Sequence, residues 1–382
     1  MATWPLTCTS PRRQVRGEAS RERLHRVQHP HPATRPVGSD LGAAPAAGAL
    51  VESPLQLLCT VEAHAAGHAG AVTHVHVRND VPALGDALSG VRHLDLPDGL
   101  DFDLTGPRAA LAAREPVWVV GDAFSGLFQA TAPLRRPRHV VLVDDGLATL
   151  ELVRLLVRGA PLVRIGRPAS APRRLLGALA GRRLRALAAA GRVTLFTALP
   201  LPPELRDGLR AQGFDVRHNR FGWLAAQPAD EVIPEPTVVV GTGMVADGLI
   251  DAQRYVGWIR SLAAEGELRY LPHRRQTSEL LATLAAIDGV TVDAPGAPVE
   301  IRLRGLRRGQ RVVSLPSTST ILLTTIISPL GVPVTALDVP ADWWTPRATA
   351  EHRAHLTSVS ELAQRARAVV DAGDPDFPEA NE

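Results

Sequence analysis

The chain contains no lysine: all 42 basic side chains are arginine, set against 39 acids. Schiff-base chemistry and the lysine-dependent phosphate loop both need a primary amine, so neither is available here. Cysteine is nearly absent. Cys8 and Cys59 stand alone, too few for a disulfide framework or a thiolate zinc site and in keeping with a reducing compartment. Aromatic residues make up 4%. No apolar run reaches the roughly eighteen residues of a membrane span. The nearest candidate, 321–334, is cut by Pro329 and Pro333. No long apolar region follows the first charges, so no secretory signal is expected. Neither a G-x-S-x-G elbow nor an H-E-x-x-H zinc helix is present.

What is there is an ordinary globular composition, 45% apolar and 21% charged over 382 residues. At roughly 100–200 residues per domain that length implies two domains, or three. The net charge of +3 is local. Residues 1–38 hold seven arginines against Glu18 and Glu22, and the remaining 35 arginines face 37 acids, a net of −2. A basic tail on a near-neutral body gives no reason to expect a nucleic-acid partner. Residues 1–45 mix Arg, Pro, His, Ser and Gly without an apolar period and read as a disordered basic tail.

From residue 48 onward short β-branched runs alternate with longer alanine- and leucine-rich stretches. Strands are expected at 71–77, 91–96, 117–120 and 139–143, then at 193–197, 237–240, 268–271, 290–292, 312–315 and 332–337. Helices are expected at 54–66, 146–158, 203–212, 252–265 and 277–287, with a long C-terminal one in 345–372. Apolar strands alternating with helices describe buried parallel strands in βα units, hence an α/β fold of two doubly wound domains. The stretch 158–192 is rich in arginine and carries prolines, and the stretch 227–236, with three prolines, reads as an inter-domain linker. The domains are therefore expected at 46–230 and 231–345, with 346–382 a C-terminal helix and acidic tail.

In such folds ligands bind beyond the carboxyl ends of the strands, so the polar residues there are the candidates. Asp144-Asp145-Gly146 closes an apolar strand with two carboxylates, whose mutual repulsion can raise one toward general-base duty. Its bland reading is a helix-capping turn. Pro272-His273-Arg274 follows the strand 268–271 and joins a titratable imidazole to a cation suited to phosphate, or is a basic surface turn. Ser317-Thr318-Ser319 follows another strand and would cap a helix start, whose amides and hydroxyls make an anion site. Gly241-Thr242-Gly243 lets a ligand approach the backbone, while Ala246 in the third-glycine position disfavours a dinucleotide fingerprint. Glu52, Ser53 and Asp122 occupy comparable rim positions. His64 and His68 lie near Glu62 on one helix without a further ligand, so no metal site is expected. Trp343-Trp344 reads as packing.

Taken in order, these motifs resemble the bacterial sialyltransferases and polysialyltransferases. The resemblance rests on the run from Glu52 and Ser53 through Leu57-Leu58, on Asp144-Asp145-Gly146, on Pro272-His273, on Val299-Glu300 and on Ser317 with Ser319. It covers about residues 48–340. Two departures stand out: Arg274 follows the histidine where the family has proline, and Gln276 replaces a common glutamate. The resemblance implies a GT-B-like fold, two Rossmann-type domains facing a cleft. It also implies an inverting, metal-independent transfer of sialic acid from CMP-sialic acid to a glycan hydroxyl, with no further cofactor. In that expectation Asp144, the first acid of the motif, is the base and Asp145 its neighbour. His273 is the acid or donor to the leaving phosphate, helped by Ser317, Thr318 and Ser319, and Glu300 binds the cytidine. The basic stretch 154–192 would touch anionic lipid headgroups or an anionic acceptor, giving a cytoplasmic protein in peripheral contact with the membrane. Two alternatives stay open. One is another GT-B nucleotide-sugar transferase or a teichoic-acid-type polymer phosphotransferase; the other is a non-catalytic nucleotide-binding protein.

Overall fold

A computed structural model of the chain describes residues 45–105, 114–164, 169–229, 232–294 and 296–372. The tail expected at 1–45 falls, but for Pro45, outside the described residues, as does the acidic end after residue 372.

Seven strands form the first sheet: β1 (Ala47–Val51), β2 (Thr73–Arg78), β3 (Leu100–Thr105), β4 (Val117–Val120), β5 (His139–Val143), β6 (Val193–Thr197) and β7 (Asp215–His218). Five form the second: β8 (Thr237–Val240), β9 (Leu268–Leu271), β10 (Val290–Val292), β11 (Arg311–Ser314) and β12 (Val334–Ala336). The strand orders are β3-β2-β1-β4-β5-β6-β7 and β10-β9-β8-β11-β12. Every pairing within them is parallel. Each order reverses direction once, between β1 and β4 and between β8 and β11, the switch points where such sheets open a crevice. The expected α/β fold of two doubly wound, Rossmann-type sheets is what the chain adopts.

The connecting helices of the first half are α1 (Pro54–Ala65), α2 (Pro82–Arg92), α3 (Gly126–Thr131), α4 (Leu147–Arg158), α5 (Ala171–Ala188), α6 (Pro203–Ala211) and α7 (Gly222–Ala226). The second half has α8 (Ala252–Ala263), α9 (Ser278–Ala285), α10 (Val299–Arg302), α11 (Thr318–Ile327) and α12 (Ala350–Ala372). Capping chemistry sets several starts. Ser53, Asp251, Thr277 and Ser317 each accept a backbone N–H of the turn they precede. Pro54 and Pro203 fill first-turn positions whose N–H has no intrahelical partner anyway.

Three expectations need correction. The strand expected at 91–96 is the end of α2 and the turn after it. Leu84, Ala87, Leu88 and Val91 are its buried residues, spaced at the 3.6-residue period of a helix, and Pro82 opens it. The arginine-rich stretch 158–192 contains the eighteen-residue α5, which begins around Pro172 rather than being broken by it. β3 was not expected, although Leu100, Asp101, Phe102, Asp103 and Leu104 alternate with the period of a strand.

One continuous apolar cluster runs from the α1–α2 face of the first sheet into the second, joining Val51, Leu58 and Val143 to Val240, Val312 and Leu322. Separate clusters fill the α3–α6 face of the first sheet and the α8–α9 face of the second. The C-terminal helix α12 then returns over both halves. Val359, Leu362 and Ala363 pack with Leu150 of α4, Leu199 and Ile321 of α11. Leu362→Ala should therefore cost about 2–5 kcal/mol, whereas Gln364→Ala on the exposed face should change stability by less than about 0.5 kcal/mol. Denaturant midpoints of the two variants check this.

Candidate active site

The carboxyl end of β5 turns sharply at Gly146, whose φ of 65° suits glycine and sets the start of α4. The two acids before it take opposite directions, as neighbours at a strand end must. Asp144 points inward and is fully buried. Thr197 donates its hydroxyl to Oδ1 at 2.6 Å, and the backbone N–H of Ala198 donates to Oδ2 at 2.7 Å, which ties β5 to the end of β6. Burial pushes its carboxyl up to about 6 against those hydrogen bonds. The expectation that Asp144 is the base therefore fails on access: both oxygens are occupied and no surface remains for a substrate.

Asp145 is the acid presented to the rim, with 17% of its side chain exposed. Gln56 Nε2 and the Ser53 hydroxyl donate to Oδ1 at 2.9 and 3.2 Å. Arg164 Nη2 lies 3.1 Å from Oδ2 and 2.9 Å from Asp122 Oδ2, so one guanidinium joins the two acids. The ring of Phe124 supports that guanidinium at 5.1 Å. Burial raises the Asp145 carboxyl above its ordinary value, the Gln56 hydrogen bond opposes this, and the charge of Asp122 adds to the rise. Asp122 is pinned by accepting from Phe124 N at 2.7 Å. Glu52 sits on the same rim, ion-paired to Arg78 at 2.9 Å. Ser53 has two roles, as helix cap and as donor to Asp145.

Across from this rim lies the start of α11. Ser317 caps the helix by accepting from Thr320 N at 3.2 Å, and Ser314, Thr320 and Ser317 join their hydroxyls in a ladder at 2.7 and 2.9 Å. The N–H groups of Thr318 and Ser319, at the first two helical positions, have no intrahelical acceptor. A side chain on Gly146 would stand 3.1 Å from Thr318 Oγ1, so the turn after Asp145 and the start of α11 touch. Ser319 hydrogen-bonds Glu300, a buried carboxyl raised by that burial. Glu300 and Asp144 both act on the buried Cys59 thiol, pushing it up, with desolvation the largest cause. The structure thus brings Asp144, Asp145, Gly146, Glu300, Thr318 and Ser319 together.

His273 belongs to the same sheet edge, beyond β9, but no hydrogen bond joins it to those groups among the described residues. Its loop is held from below. His273 N donates to Gln276 Oε1 at 2.9 Å, Gln276 Nε2 donates to the Tyr270 hydroxyl, and Tyr270 meets Tyr255 at 2.8 Å. Burial first, then the charges of Arg275 and Arg274, push the imidazole down to about 4. It is neutral at pH 7. Arg275 N donates to Nδ1 at 3.2 Å, so the proton resides on Nε2, which makes His273 a hydrogen-bond donor rather than a proton-losing acid. Arg274 is exposed beside it and Pro272 shapes the turn.

Gly241 and Gly243 serve this loop. A side chain on Gly241 would come within 2.7 Å of the Tyr270 hydroxyl, and one on Gly243 would collide with the Arg275 guanidinium. Thr242 accepts from Met244 N at 3.2 Å and closes the turn between them. These glycines leave the Tyr270 hydroxyl and the Arg275 guanidinium room to stand against the turn.

Gln56, Arg164 and Thr197 are the site residues that sequence reasoning missed, and Gln276 entered it only as a departure from the family's glutamate. Only Gln56 carried a local signal, three residues after the capping Ser53. Among the described residues no group of three or more His, Cys, Asp or Glu side chains is placed to hold a metal, and no helix is long and apolar enough to cross a membrane.

No family model and no curated protein matches the sequence. Among solved structures, a UDP-glucose:anthocyanidin 3-O-glucosyltransferase in complex with UDP is 11% identical, with 87% of this chain and 96% of that one covered at a TM-score of 0.46. The UDP-GlcNAc 2-epimerase from Neisseria meningitidis is 12% identical over 87% and 92%, at 0.46. A spinosyn forosaminyltransferase is 13% identical over 89% and 96%, at 0.43. With TM-scores below 0.5, these similarities assign neither donor nor reaction to this chain.

The two acids should separate experimentally. Asp144→Ala strips partners from two buried donors at about 1–3 kcal/mol each, whereas Asp145→Asn, which leaves Arg164 its Asp122 partner, should cost about 1 kcal/mol. Chemical denaturation of both variants checks the order; equal costs would contradict the inward placement of Asp144.

Proposed function

We propose that this chain is an inverting GT-B glycosyltransferase that moves sialic acid from CMP-sialic acid to a glycan hydroxyl. The observation that carries the reading is Asp145: a part-exposed carboxylate, raised by burial, on a rim that touches the amide-rich start of α11. In this reading Asp145 takes the proton of the acceptor hydroxyl. That oxygen attacks the anomeric carbon of the sialic acid, the bond from that carbon to the phosphate oxygen breaks, and CMP departs with the electron pair. The charge growing on the phosphate is met by the His273 Nε2–H, by Arg274, by the hydroxyls of Ser317 and Ser319 and by the N–H groups of Thr318 and Ser319. In this reading Glu300, a buried carboxyl held by Ser319, takes a cytidine hydroxyl or amine. The reading routes no step through a metal or a further cofactor.

The alternatives differ in the nucleotide they require. A thermal-shift panel of CMP, UMP, GMP, AMP and CDP separates them, since a ligand at 100 times its dissociation constant adds about 2.7 kcal/mol. CMP alone should stabilise the protein. Preference for UMP or GMP would make it a different GT-B transferase, preference for CDP would favour a polymer phosphotransferase, and no response would favour a non-catalytic binding protein. Asp145→Asn should lower transfer by about 10²–10⁴-fold while keeping the CMP shift; full transfer would remove Asp145 from the reaction.

The membrane contact is a second part of the proposal. Between residues 152 and 203 there are ten arginines and no acid. On α5 within that stretch, Leu175 and Leu179 are 61% and 38% exposed, with Arg174 and Arg182 exposed on the same helix. Leucines standing out among arginines suit an anionic bilayer surface, where each basic residue contributes about 1 kcal/mol, and would keep a cytoplasmic protein peripherally bound. Sedimentation with phosphatidylglycerol vesicles but not phosphatidylcholine vesicles, reduced in Leu175→Glu/Leu179→Glu, is the expected result.

A further inference from the structure

A cavity of about 450 Å³ lies at the β7 edge of the first sheet and takes part in none of the steps above. Three parts of the chain line it. The carboxyl ends of β6 and β7 contribute Thr197, Val216, Arg217 and His218. The connection after β6 contributes Leu199 and Leu201, and α6 contributes Arg206. From α12 come Arg365, Ala368, Val369 and Ala372, which stand at i, i+3, i+4 and i+7 and therefore share one face of that helix. Val359, Leu362 and Ala363 of the same helix are buried with Leu199, so this face adjoins a packed core.

The lining favours one ligand chemistry. It combines apolar side chains with three arginines and a histidine, and no acid lines the cavity. Thr197 gives its hydroxyl to Asp144 at 2.6 Å. Arg206 and Arg217 lie 3.7 and 2.8 Å from Asp207 and Asp215, neither of which borders the cavity. Arg365 is exposed and makes no hydrogen bond or ion pair among the described residues. Guanidinium groups pair with phosphate or carboxylate oxygens, and the apolar lining gains from covering by hydrocarbon. A cation is repelled here, and a bare anion leaves the apolar side chains wet. The volume falls within the roughly 300–1,000 Å³ of small-molecule sites.

We propose that this cavity binds a small anionic amphiphile, an alkyl chain that ends in a phosphate or carboxylate. Arg206, Arg217 and Arg365 answer its charge, and Leu199, Leu201, Val216 and Val369 cover its chain. The assignment needs nothing from the transferase reading and is measured without turnover. Because the ligand touches both the first sheet and α12, it adds contacts between the C-terminal helix and the first half of the chain.

The experiment is titration calorimetry of the full chain with n-octyl phosphate below its micelle concentration. Two controls are n-octanol, which lacks the charge, and inorganic phosphate, which lacks the chain. Octyl phosphate should bind at least about tenfold more tightly than either, and hexyl phosphate about tenfold more weakly than octyl. Arg365→Gln should weaken octyl phosphate about fivefold and leave octanol unchanged. Ala368→Trp, which fills the cavity, should abolish binding. Both positions are exposed on α12, and unchanged denaturant midpoints without ligand show that the variants fold. Equal affinity for octyl phosphate and either control overturns the ligand class. Binding that survives Ala368→Trp in a folded protein, or that is lost in Leu175→Glu/Leu179→Glu on α5, overturns the site. Phosphatidylglycerol vesicles identify the source: reduced sedimentation of Ala368→Trp means an amphiphile drawn from a bilayer, unchanged sedimentation a free one, and either result upholds the site.

Discussion

The buried carboxylate of Asp144 is the constraint on which the site depends. A charge-bearing group with no solvent is tolerated here because the Thr197 hydroxyl and the Ala198 amide supply what water would. Those two bonds fasten the end of β5 to the end of β6. Since successive residues at a strand end face opposite ways, fixing Asp144 inward commits Asp145 outward. Gly146 then turns the chain into α4 at a φ that a side chain would resist. The outward acid meets three donors from two separate segments: Ser53 and Gln56 at the start of α1, and Arg164 beyond α4. An adjacent pair of aspartates is thereby divided into one that holds the fold and one that faces the rim.

The second half of the rim is organised by hydrogen bonds of a different kind. Neutral hydroxyls and amides, from Tyr255 through Tyr270 and Gln276 to the backbone of His273, shape a loop that carries three positive or dipolar donors. The hydroxyl ladder under α11 occupies Thr320 and Ser317 and leaves the first two amides of that helix facing the rim. An anion placed there meets donors already oriented by bonds made below it, which is how preorganised sites stabilise developing charge. α12 holds the two halves in register by packing on α4 and α11 together.

Much of this was legible from the chain alone where the signal is local. The strands at 117–120, 139–143, 193–197, 237–240, 268–271 and 290–292 coincide with β4, β5, β6, β8, β9 and β10, because continuous β-branched runs flanked by turns have few other ways to be buried. The acids, the imidazole and the hydroxyl run were found because they follow those strands. Misreadings arose where two periods compete over a few residues. Val91 belongs to a helix whose register was set by Leu84 and Leu88, with Leu94 in the turn after it, and β3 alternates but carries two aspartates, a residue type depleted in strands.

Residue order by itself determined the strand–helix alternation, the capping of α1 and α11 and the set of polar residues at strand ends, since each follows from contacts within a few positions. Tertiary structure alone decided which aspartate faces the rim, because the bonds that bury Asp144 come from residues 53 and 54 positions away. It alone brought in Arg164 from a stretch that looks like generic positive charge, and it alone set Tyr270 and Arg275 against Gly241 and Gly243. The physical reason is the same in each case. A side chain's role in a site is set by the partners that desolvate and orient it, and those partners lie on strands and loops distant in sequence.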